Sequence, residues 1–293
     1  MKFHRVYIEI TNVCGLACSF CPPKDQPTQT MSLPFFESIL IQLQEYTRDI
    51  ALHVMGDPMV LSNLNDYLDV AHRLDFSVMI TTSGFYLDEP RRRMLVHPCI
   101  KQVNISLNSF NKNSVSRSFE AYMDNILALC DEKLLQTHEF FINLRLWNLD
   151  EACSAEVFNE QLFTLLENHF ILEEGMIRDS VSGKRQSLRL ASKILLHFDR
   201  YFQWPALNNE VSGDGYCHGL SKQIAILADG RVVPCCLDGE GIIELGNLHA
   251  TNLGKILASE RACSIVGGFK EGKAIEELCQ KCSYKKRFEK GLS

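Results

Sequence analysis

No stretch of eighteen apolar residues occurs anywhere in the chain, so the sequence offers no transmembrane helix. Met1–Val6 carries neither a long apolar segment nor a small-residue cleavage site. A secretory signal is therefore absent from the reading, and the cytoplasm is the expected compartment. Basic residues are not in excess: 30 Lys and Arg against 36 Asp and Glu give a formal charge of −6. That balance argues against a nucleic-acid partner, and the short run Arg91–Arg93 reads as a solvated helix face. There is no internal repeat and no low-complexity tract. No serine–histidine–aspartate arrangement and no metalloprotease helix is found, so side-chain hydrolysis has no candidate centre.

Against these absences stand twelve cysteines in 293 residues. In a reducing compartment structural disulfides are disfavoured, and clustered cysteines point to metal. Two groups are clustered: Cys14, Cys18 and Cys21 near one end, and Cys217, Cys235, Cys236, Cys279 and Cys282 near the other. Cys99, Cys130, Cys153 and Cys263 are isolated and are expected to be buried small hydrophobes.

The first two thirds alternate strand-like and helix-like segments. Strands are expected at Val6–Ile10, Ile50–Met55, Phe76–Thr81, Gln102–Leu107, Phe140–Leu146 and Ser187–Ala191. Helices are expected at Leu33–Tyr46, with Pro34 suited to a first turn, and at Asn63–Leu74, Glu89–Val96, Ser114–Leu135 and Ala155–Asn168. Such alternation implies an α/β fold with a parallel sheet, and five or six units are too few for a full eight-stranded barrel. A partial (β/α)6 TIM-like barrel over residues 1–204 is the expectation, with ligands at the C-terminal strand ends. The pattern breaks near Trp204–Gly215. Residues 205–293 then read as a small cysteine-rich α+β domain. Its marks are a hairpin of Gln223–Leu227 and Arg231–Val233 around Asp229-Gly230, and short helices at Leu253–Ser259 and before Cys279.

Cys14, Cys18 and Cys21 form C-x3-C-x2-C directly after the first strand. Three thiolates can hold three irons of a cubane and leave the fourth iron open, whereas electron-transfer clusters use four cysteines. A zinc site or unconnected cysteines are the plainer alternatives.

This loop resembles the signature of the radical S-adenosylmethionine (SAM) superfamily, including Phe20 before the last cysteine and the entry Ile8–Val13. Further segments are similar to the family's SAM contacts. Met55-Gly56-Asp57-Pro58 resembles its Gly-Gly-Glu-Pro segment, departing at two of four positions, and Thr82-Ser83-Gly84 and Ser106-Leu107-Asn108 follow the next two strands. The resemblance implies cofactor contacts by Phe20, Gly56, Asp57, Pro58, Ser83, Gly84, Ser106, Asn108 and Arg145, with Asn148 beside them. It implies that SAM chelates the open iron of a [4Fe–4S] cluster on Cys14, Cys18 and Cys21. Reductive cleavage would then give a 5′-deoxyadenosyl radical that takes hydrogen from a substrate.

At the other end Cys217, Cys235, Cys279 and Cys282 can close a zinc site or a cubane; ligand count does not choose between them. The segment resembles the SPASM/twitch auxiliary-cluster domains in Cys217-His-Gly219, the hairpin, Pro234-Cys235, Gly246-Asn247-Leu248 and the C-x2-C pair. It has too few cysteines for a full SPASM domain. It is similar to the shorter form with one auxiliary [4Fe–4S] cluster, as in an aminoglycoside-forming radical SAM dehydrogenase. Cys236 reads as a spare.

Arg145 and Glu9 are the candidate catalytic side chains, and His53 reads as an interior polar residue. The expected function is radical SAM oxidoreductase or transferase chemistry on a small molecule or peptide, with an electron donor such as flavodoxin or ferredoxin. The competing readings are modification of a peptide or RNA, and a non-enzymatic iron–sulfur or zinc protein that senses redox state or scaffolds partners.

Overall fold

The computed structural model describes residues 2–23, 25–113, 117–149, 154–200 and 203–289. Cys153 and the first residues of the helix expected from Ser114 lie outside them.

Ten strands form one sheet: β1 (Arg5–Ile8), β2 (Asp49–Ala51), β3 (Ser77–Thr82), β4 (Ile100–Ser106), β5 (Phe141–Leu146), β6 (Ser187–Ala191), β7 (Ile194–Phe198), β8 (Gln223–Ile226), β9 (Arg231–Val233) and β10 (Gly246–Asn247). Their order is β10-β9-β8-β1-β2-β3-β4-β5-β7-β6. The pairs β1–β2, β2–β3, β3–β4, β4–β5 and β5–β7 are all parallel. Six parallel strands thus lie side by side in chain order, as a partial (β/α)6 barrel requires. Among the described residues β10 and β6, the two ends of the sheet, do not pair with each other.

The crossovers are α1 (Leu33–Leu43), α2 (Leu64–Arg73), α3 (Glu89–Met94), α4 (Phe119–Leu135), α5 (Ser154–His169) and α6 (Met176–Ser182). Helix α1 shows how local sequence sets this layer. Ser32 caps it by accepting from the Phe35 amide, and Pro34 fits the first turn. Phe36, Ile39, Leu40 and Leu43, at helical spacing, are fully buried against the sheet. Each such side chain stabilises the fold by roughly 1.5–3 kcal/mol, so Leu40→Ala would cost about 2–5 kcal/mol.

Three expectations are corrected. The sixth parallel strand is β7; Ser187–Ala191 is a strand but runs antiparallel to it. Strand β2 ends at Ala51: Leu52 still donates to Met79 O (2.9 Å), after which the chain turns toward the cysteine loop. Cys263 is exposed, on a helix face turned from the core, whereas Cys99 and Cys130 are buried as expected.

The cysteine-rich end adds α7 (Leu253–Leu257), α8 (Glu260–Lys270) and α9 (Glu277–Gln280) to the expected hairpin β8–β9. The hairpin also continues the sheet. Strand β8 pairs in parallel with β1 from Arg5↔Gln223 to Ile8↔Ile226, which brings the cysteine-rich segment against the start of the chain.

Because the central strands are parallel, the loops after β1 to β5 share one edge of the sheet, and the resembling segments lie on those loops. Along β1, Val6 and Ile8 are buried toward the helices, while Arg5 and Tyr7 alternate to the other face.

Candidate active site

The cysteine loop leaves β1 through a narrow neck. Thr11 bridges Thr30, Asn12 N donates to Gln29 O (3.1 Å), and Met31 N donates to Ile10 O (2.8 Å). Within the loop, Cys14 and Cys18 are half-buried, Cys21 is exposed, and the Cys21 amide donates to Cys18 O (3.1 Å). Contacts from outside help to hold it. Tyr86 Oη donates to Cys14 O (2.7 Å), and Ser19 N donates to Lys112 O (2.8 Å). Gly15 has φ +69°, and a Cβ there would lie 1.9 Å from Tyr86 Oη, so the turn needs a residue without a side chain.

The Met55–Pro58 segment is built against this loop. Asp57 N donates to Val13 O (3.0 Å), and a Cβ on Gly56 would lie 2.0 Å from Thr11 O. The Asp57 side chain turns to the end of β3. Its Oδ1 accepts from Met59 N (3.0 Å), and its Oδ2 accepts from Ser83 N (2.8 Å), Ser83 Oγ (2.7 Å) and Thr82 Oγ1 (3.0 Å). Burial pushes the carboxyl up and these hydrogen bonds pull it down, with burial the larger effect. Asp57 therefore bolts the loop after β2 to the end of β3. The next residue in that end, Gly84, has φ +82° and packs against Tyr122, whose Oη donates to Ser83 O (2.7 Å).

Ser106 closes β4 and Asn108 is buried in the following turn. At the end of β5, Asn148 donates from Nδ2 to Asn159 Oδ1 (3.0 Å), but its buried Oδ1 has no partner among the described residues. A buried orphaned acceptor among these loop ends fits a bound polar cofactor.

The second cysteine group converges. Cys217, Cys235, Cys279 and Cys282 line one cavity with Tyr284 and Lys285. Burial raises all four thiols; the influence of Cys217 and Cys279 raises Cys235 further, and that of Cys217 and Cys282 raises Cys279. Lys285 underpins the C-x2-C turn: its buried Nζ donates to Cys279 O (2.9 Å) and Cys282 O (2.8 Å). The Gly219 amide points at Cys217 Sγ (3.4 Å). Such a buried, thiol-lined cavity fits an iron–sulfur cluster, whose binding displaces the thiol protons. Among the described residues no three cysteine, histidine or carboxylate side chains close on a single ion; a cubane spreads its thiolates, one to each iron.

Between these two regions lies a polar interior. Glu9, only 3% exposed, accepts from Met55 N (2.8 Å) on Oε1 and from Ala228 N (3.3 Å) on Oε2, and so ties the end of β1 to both neighbours. Tyr7 packs edge-on to His53 (5.4 Å between centroids), lies under the Arg5 guanidinium and packs with Cys236 against one apolar cluster. Burial lowers His53 to about 3, helped by Arg145 and Arg5, so its ring is neutral. Arg145 lies over the Trp147 ring (5.0 Å); burial lowers it to about 10, which leaves it charged. The titratable groups that sense Arg145 lie on both sides of it: Tyr7, Arg5, Tyr284 and Cys236, and also His197 and His53, the latter just before the Met55–Pro58 segment. Beside it a ladder of side chains crosses the sheet: His197 meets Asn143 (3.2 Å), Asn143 donates to Asn104 (3.1 Å), and Asn104 donates to Thr81 (3.2 Å).

The structure thus gathers the expected residues on one sheet edge and in one thiol cage. Sequence reasoning missed Arg5, Tyr7, Tyr86 and Tyr284; Cys236, read as a spare, packs with Tyr7 against one apolar cluster. The alternation along β1 carries a signal for Arg5 and Tyr7, which share a face with Glu9.

Comparison with known proteins agrees with this geometry. The family model described as the radical SAM superfamily matches residues 8–148, and SPASM, an iron–sulfur cluster-binding domain, matches residues 217–283. The chain is 24% identical to the GTP 3′,8-cyclase of Campylobacter jejuni over 272 residues, 82% of each chain. It is 24% identical to that of Chlorobaculum tepidum over 268 residues, 81% of this chain and 79% of the cyclase. Among solved structures, BtrN in complex with AdoMet and 2-DOIA superposes with a TM-score of 0.61 at 16% identity, covering 96% of this chain and 94% of BtrN. Streptococcus suis SuiB bound to S-adenosylmethionine gives 0.60 at 13% identity, covering 98% and 74%. The chain belongs to the radical SAM superfamily: it is an enzyme that uses S-adenosylmethionine and a [4Fe–4S] cluster, with a SPASM auxiliary-cluster domain toward its C-terminal end.

Proposed function

We propose that the chain catalyses a net oxidation of a small molecule. Cys14, Cys18 and Cys21 hold the SAM-cleaving cluster, and Cys217, Cys235, Cys279 and Cys282 hold one auxiliary cluster. Residues 1–204 form the SAM-binding unit and residues 205–293 the auxiliary one. Bound there, SAM and the clusters supply a 5′-deoxyadenosyl radical and a route for the second electron.

The chain's residues position and enclose this chemistry. Gly56, Asp57 and Pro58 shape the loop for the SAM amino group, while Ser83, Gly84, Ser106 and Asn108 line the following strand ends. Phe20 stands beside Cys21, and the Oδ1 of Asn148, without a partner among the described residues, offers an acceptor. Glu9 is assigned a positioning role, since both its oxygens accept backbone amides. Arg145 is assigned a contact to substrate or to the SAM carboxylate, since it lies within reach of both His53 and Tyr284. Among the described residues no helix is long and apolar enough to cross a membrane. A one-electron donor such as flavodoxin or ferredoxin would serve the N-terminal cluster.

The observation that carries this reading is the four-thiol cavity next to an inward-facing polar cluster. Four cysteines leave no iron open, so that site suits electron transfer better than substrate ligation. The test is a Cys279→Ala, Cys282→Ala variant, checked for folding by circular dichroism and for iron in the N-terminal cluster. It should release 5′-deoxyadenosine but form no oxidised product. Full product formation by the folded variant would remove the auxiliary site from the reaction.

The cyclase relatives favour a second reading, an intramolecular ring closure of a small molecule. Product mass separates the two. Oxidation removes two hydrogens from the substrate, whereas a redox-neutral cyclisation leaves its mass unchanged.

A further inference from the structure

We propose that Tyr86 is a positioning residue for the N-terminal cluster: its hydroxyl and the bare backbone of Gly15 interlock to fix Cys14. The inference rests on the preceding assignment of Cys14, Cys18 and Cys21 to that cluster.

Three successive strand ends reach the cysteine loop. From the loop after β2, Asp57 N donates to Val13 O (3.0 Å). From the loop after β3, Tyr86 Oη donates to Cys14 O (2.7 Å). In the turn after β4, Lys112 O accepts from Ser19 N (2.8 Å). The first and third of these bonds are backbone to backbone, so no substitution removes their donors or acceptors. The Tyr86 bond comes from a side chain, and it is the one of the three that reaches a cysteine. The same three ends carry Met55–Pro58, Thr82-Ser83-Gly84 and Ser106-Leu107-Asn108, the segments assigned to SAM.

Tyr86 is itself firmly presented. Ser83 is tied to Asp57 Oδ2 through its amide (2.8 Å) and its hydroxyl (2.7 Å), and Phe85 N donates to Ser83 Oγ (3.3 Å). Leu87 N donates to Gly84 O (3.2 Å), which closes a tight turn around Tyr86. Asp88 then caps α3 by accepting from Arg91 N (2.9 Å). The Tyr86 ring packs against the main core, as does Leu16 from the cysteine loop.

Gly15 is fitted to the same hydroxyl. A Cβ there would lie 1.9 Å from Tyr86 Oη but 3.2 Å from Cζ and 4.0 Å from Cε1. The obstruction is therefore the oxygen, and a phenyl ring in its place could yield by a small shift. What remains is φ +69°, which alanine adopts at a modest cost. The glycine thus answers two demands, space and backbone, and substitution at Tyr86 separates them. A hydroxyl that holds the Cys14 carbonyl and fills the space over Gly15 fixes the peptide between the two residues. A cysteine held in this way gives up less freedom when it binds metal, and it keeps its place relative to the SAM segments.

The test uses the full-length chain, reconstituted anaerobically and checked for folding by circular dichroism. Iron per chain and equilibrium binding of SAM without reductant are the readouts. The wild type should hold about eight irons and Gly15→Ala about four, those of the auxiliary site. Gly15→Ala, Tyr86→Phe should regain most of the lost iron, because the obstructing oxygen is gone. Tyr86→Phe by itself should keep about eight irons, since the Val13 and Ser19 bonds remain, but bind SAM roughly three- to ten-fold more weakly. A Tyr86 that served only as packing would make the double variant worse than either single one. A double variant with no more iron than Gly15→Ala, or Tyr86→Phe with wild-type SAM affinity, would overturn the proposal. If Gly15→Ala does not fold, the SAM titration of Tyr86→Phe decides by itself. A wild type with only about four irons would remove the cluster assignment and this inference with it. With about eight irons and SAM cleavage in the wild type, that assignment stands however the variants behave.

Discussion

Asp57→Asn keeps the size of a buried side chain and removes its charge. The carboxylate serves four donors: Met59 N, Ser83 N, Ser83 Oγ and Thr82 Oγ1. An amide has a single acceptor oxygen. If that oxygen serves Met59, the new NH2 faces the Ser83 side. The two hydroxyls there can rotate and accept, but the Ser83 amide cannot. One buried backbone donor is orphaned, at about 1–3 kcal/mol, and charge-assisted bonds become neutral ones. Burial has already raised the Asp57 pKa, so removing the charge returns part of that cost. The net expectation is a destabilisation of about 2 kcal/mol. Much of it falls on the joint between the loop after β2 and the end of β3. At about 1.4 kcal/mol for each factor of ten, SAM affinity should drop by roughly ten-fold. Iron in the N-terminal cluster should stay near the wild-type value, because the bond from Asp57 N to Val13 O is a backbone bond and survives. The assay is anaerobic equilibrium binding of SAM alongside iron analysis and thermal unfolding. Unchanged SAM affinity in a destabilised variant would show that the bolt does not shape the cofactor loop. Complete loss of SAM binding in a folded variant would show that the carboxylate touches the cofactor itself.

Gly56→Ala places a methyl group 2.0 Å from Thr11 O, on backbone that leads into the cysteine loop. Iron in the N-terminal cluster should fall sharply; normal iron and normal SAM cleavage would contradict the packing argument. His53 titrates near 3 when folded and near 6.5 when unfolded, so its neutral burial stabilises above pH 6.5 and that stability is lost as pH falls toward 3. Between about pH 7.5 and 5.5 the loss is about 1.4 kcal/mol, and His53→Asn should remove that part of the pH dependence of urea stability. Identical pH profiles for the variant and the wild type would refute the assignment.

The sequence was most legible where function and fold are local. Each of the first five strands is a short apolar run followed by a loop with its own signature, and each lies within a few residues of its expected range. Less visible were features that depend on distant partners. Strand β8 reads as half of a hairpin, which it is, but its parallel pairing with β1 joins segments more than two hundred residues apart. Strand β7 was hidden because the Ser192-Lys193 turn before it lacks glycine and asparagine; Lys193 takes φ +56° instead. Asp57 reads as a cofactor residue from its motif, yet its carboxylate faces Thr82 and Ser83, a choice made by packing rather than by the local segment. Glu9 likewise looks like an acid on a strand until Ala228 arrives from the far end of the chain to occupy it. Arg5 was overlooked because one arginine at a strand start carries no signal by itself; its place is set by the Tyr7 ring that it stacks on.

The central claim is that Cys14, Cys18 and Cys21 form the SAM-cleaving site, and its most direct test is 5′-deoxyadenosine release under anaerobic reduction by the wild type and by Cys18→Ala. The wild type should carry about eight irons per chain and release 5′-deoxyadenosine. Cys18→Ala should fold, keep about four irons in the auxiliary site, and release none. Release of 5′-deoxyadenosine by Cys18→Ala at the wild-type rate would contradict the account.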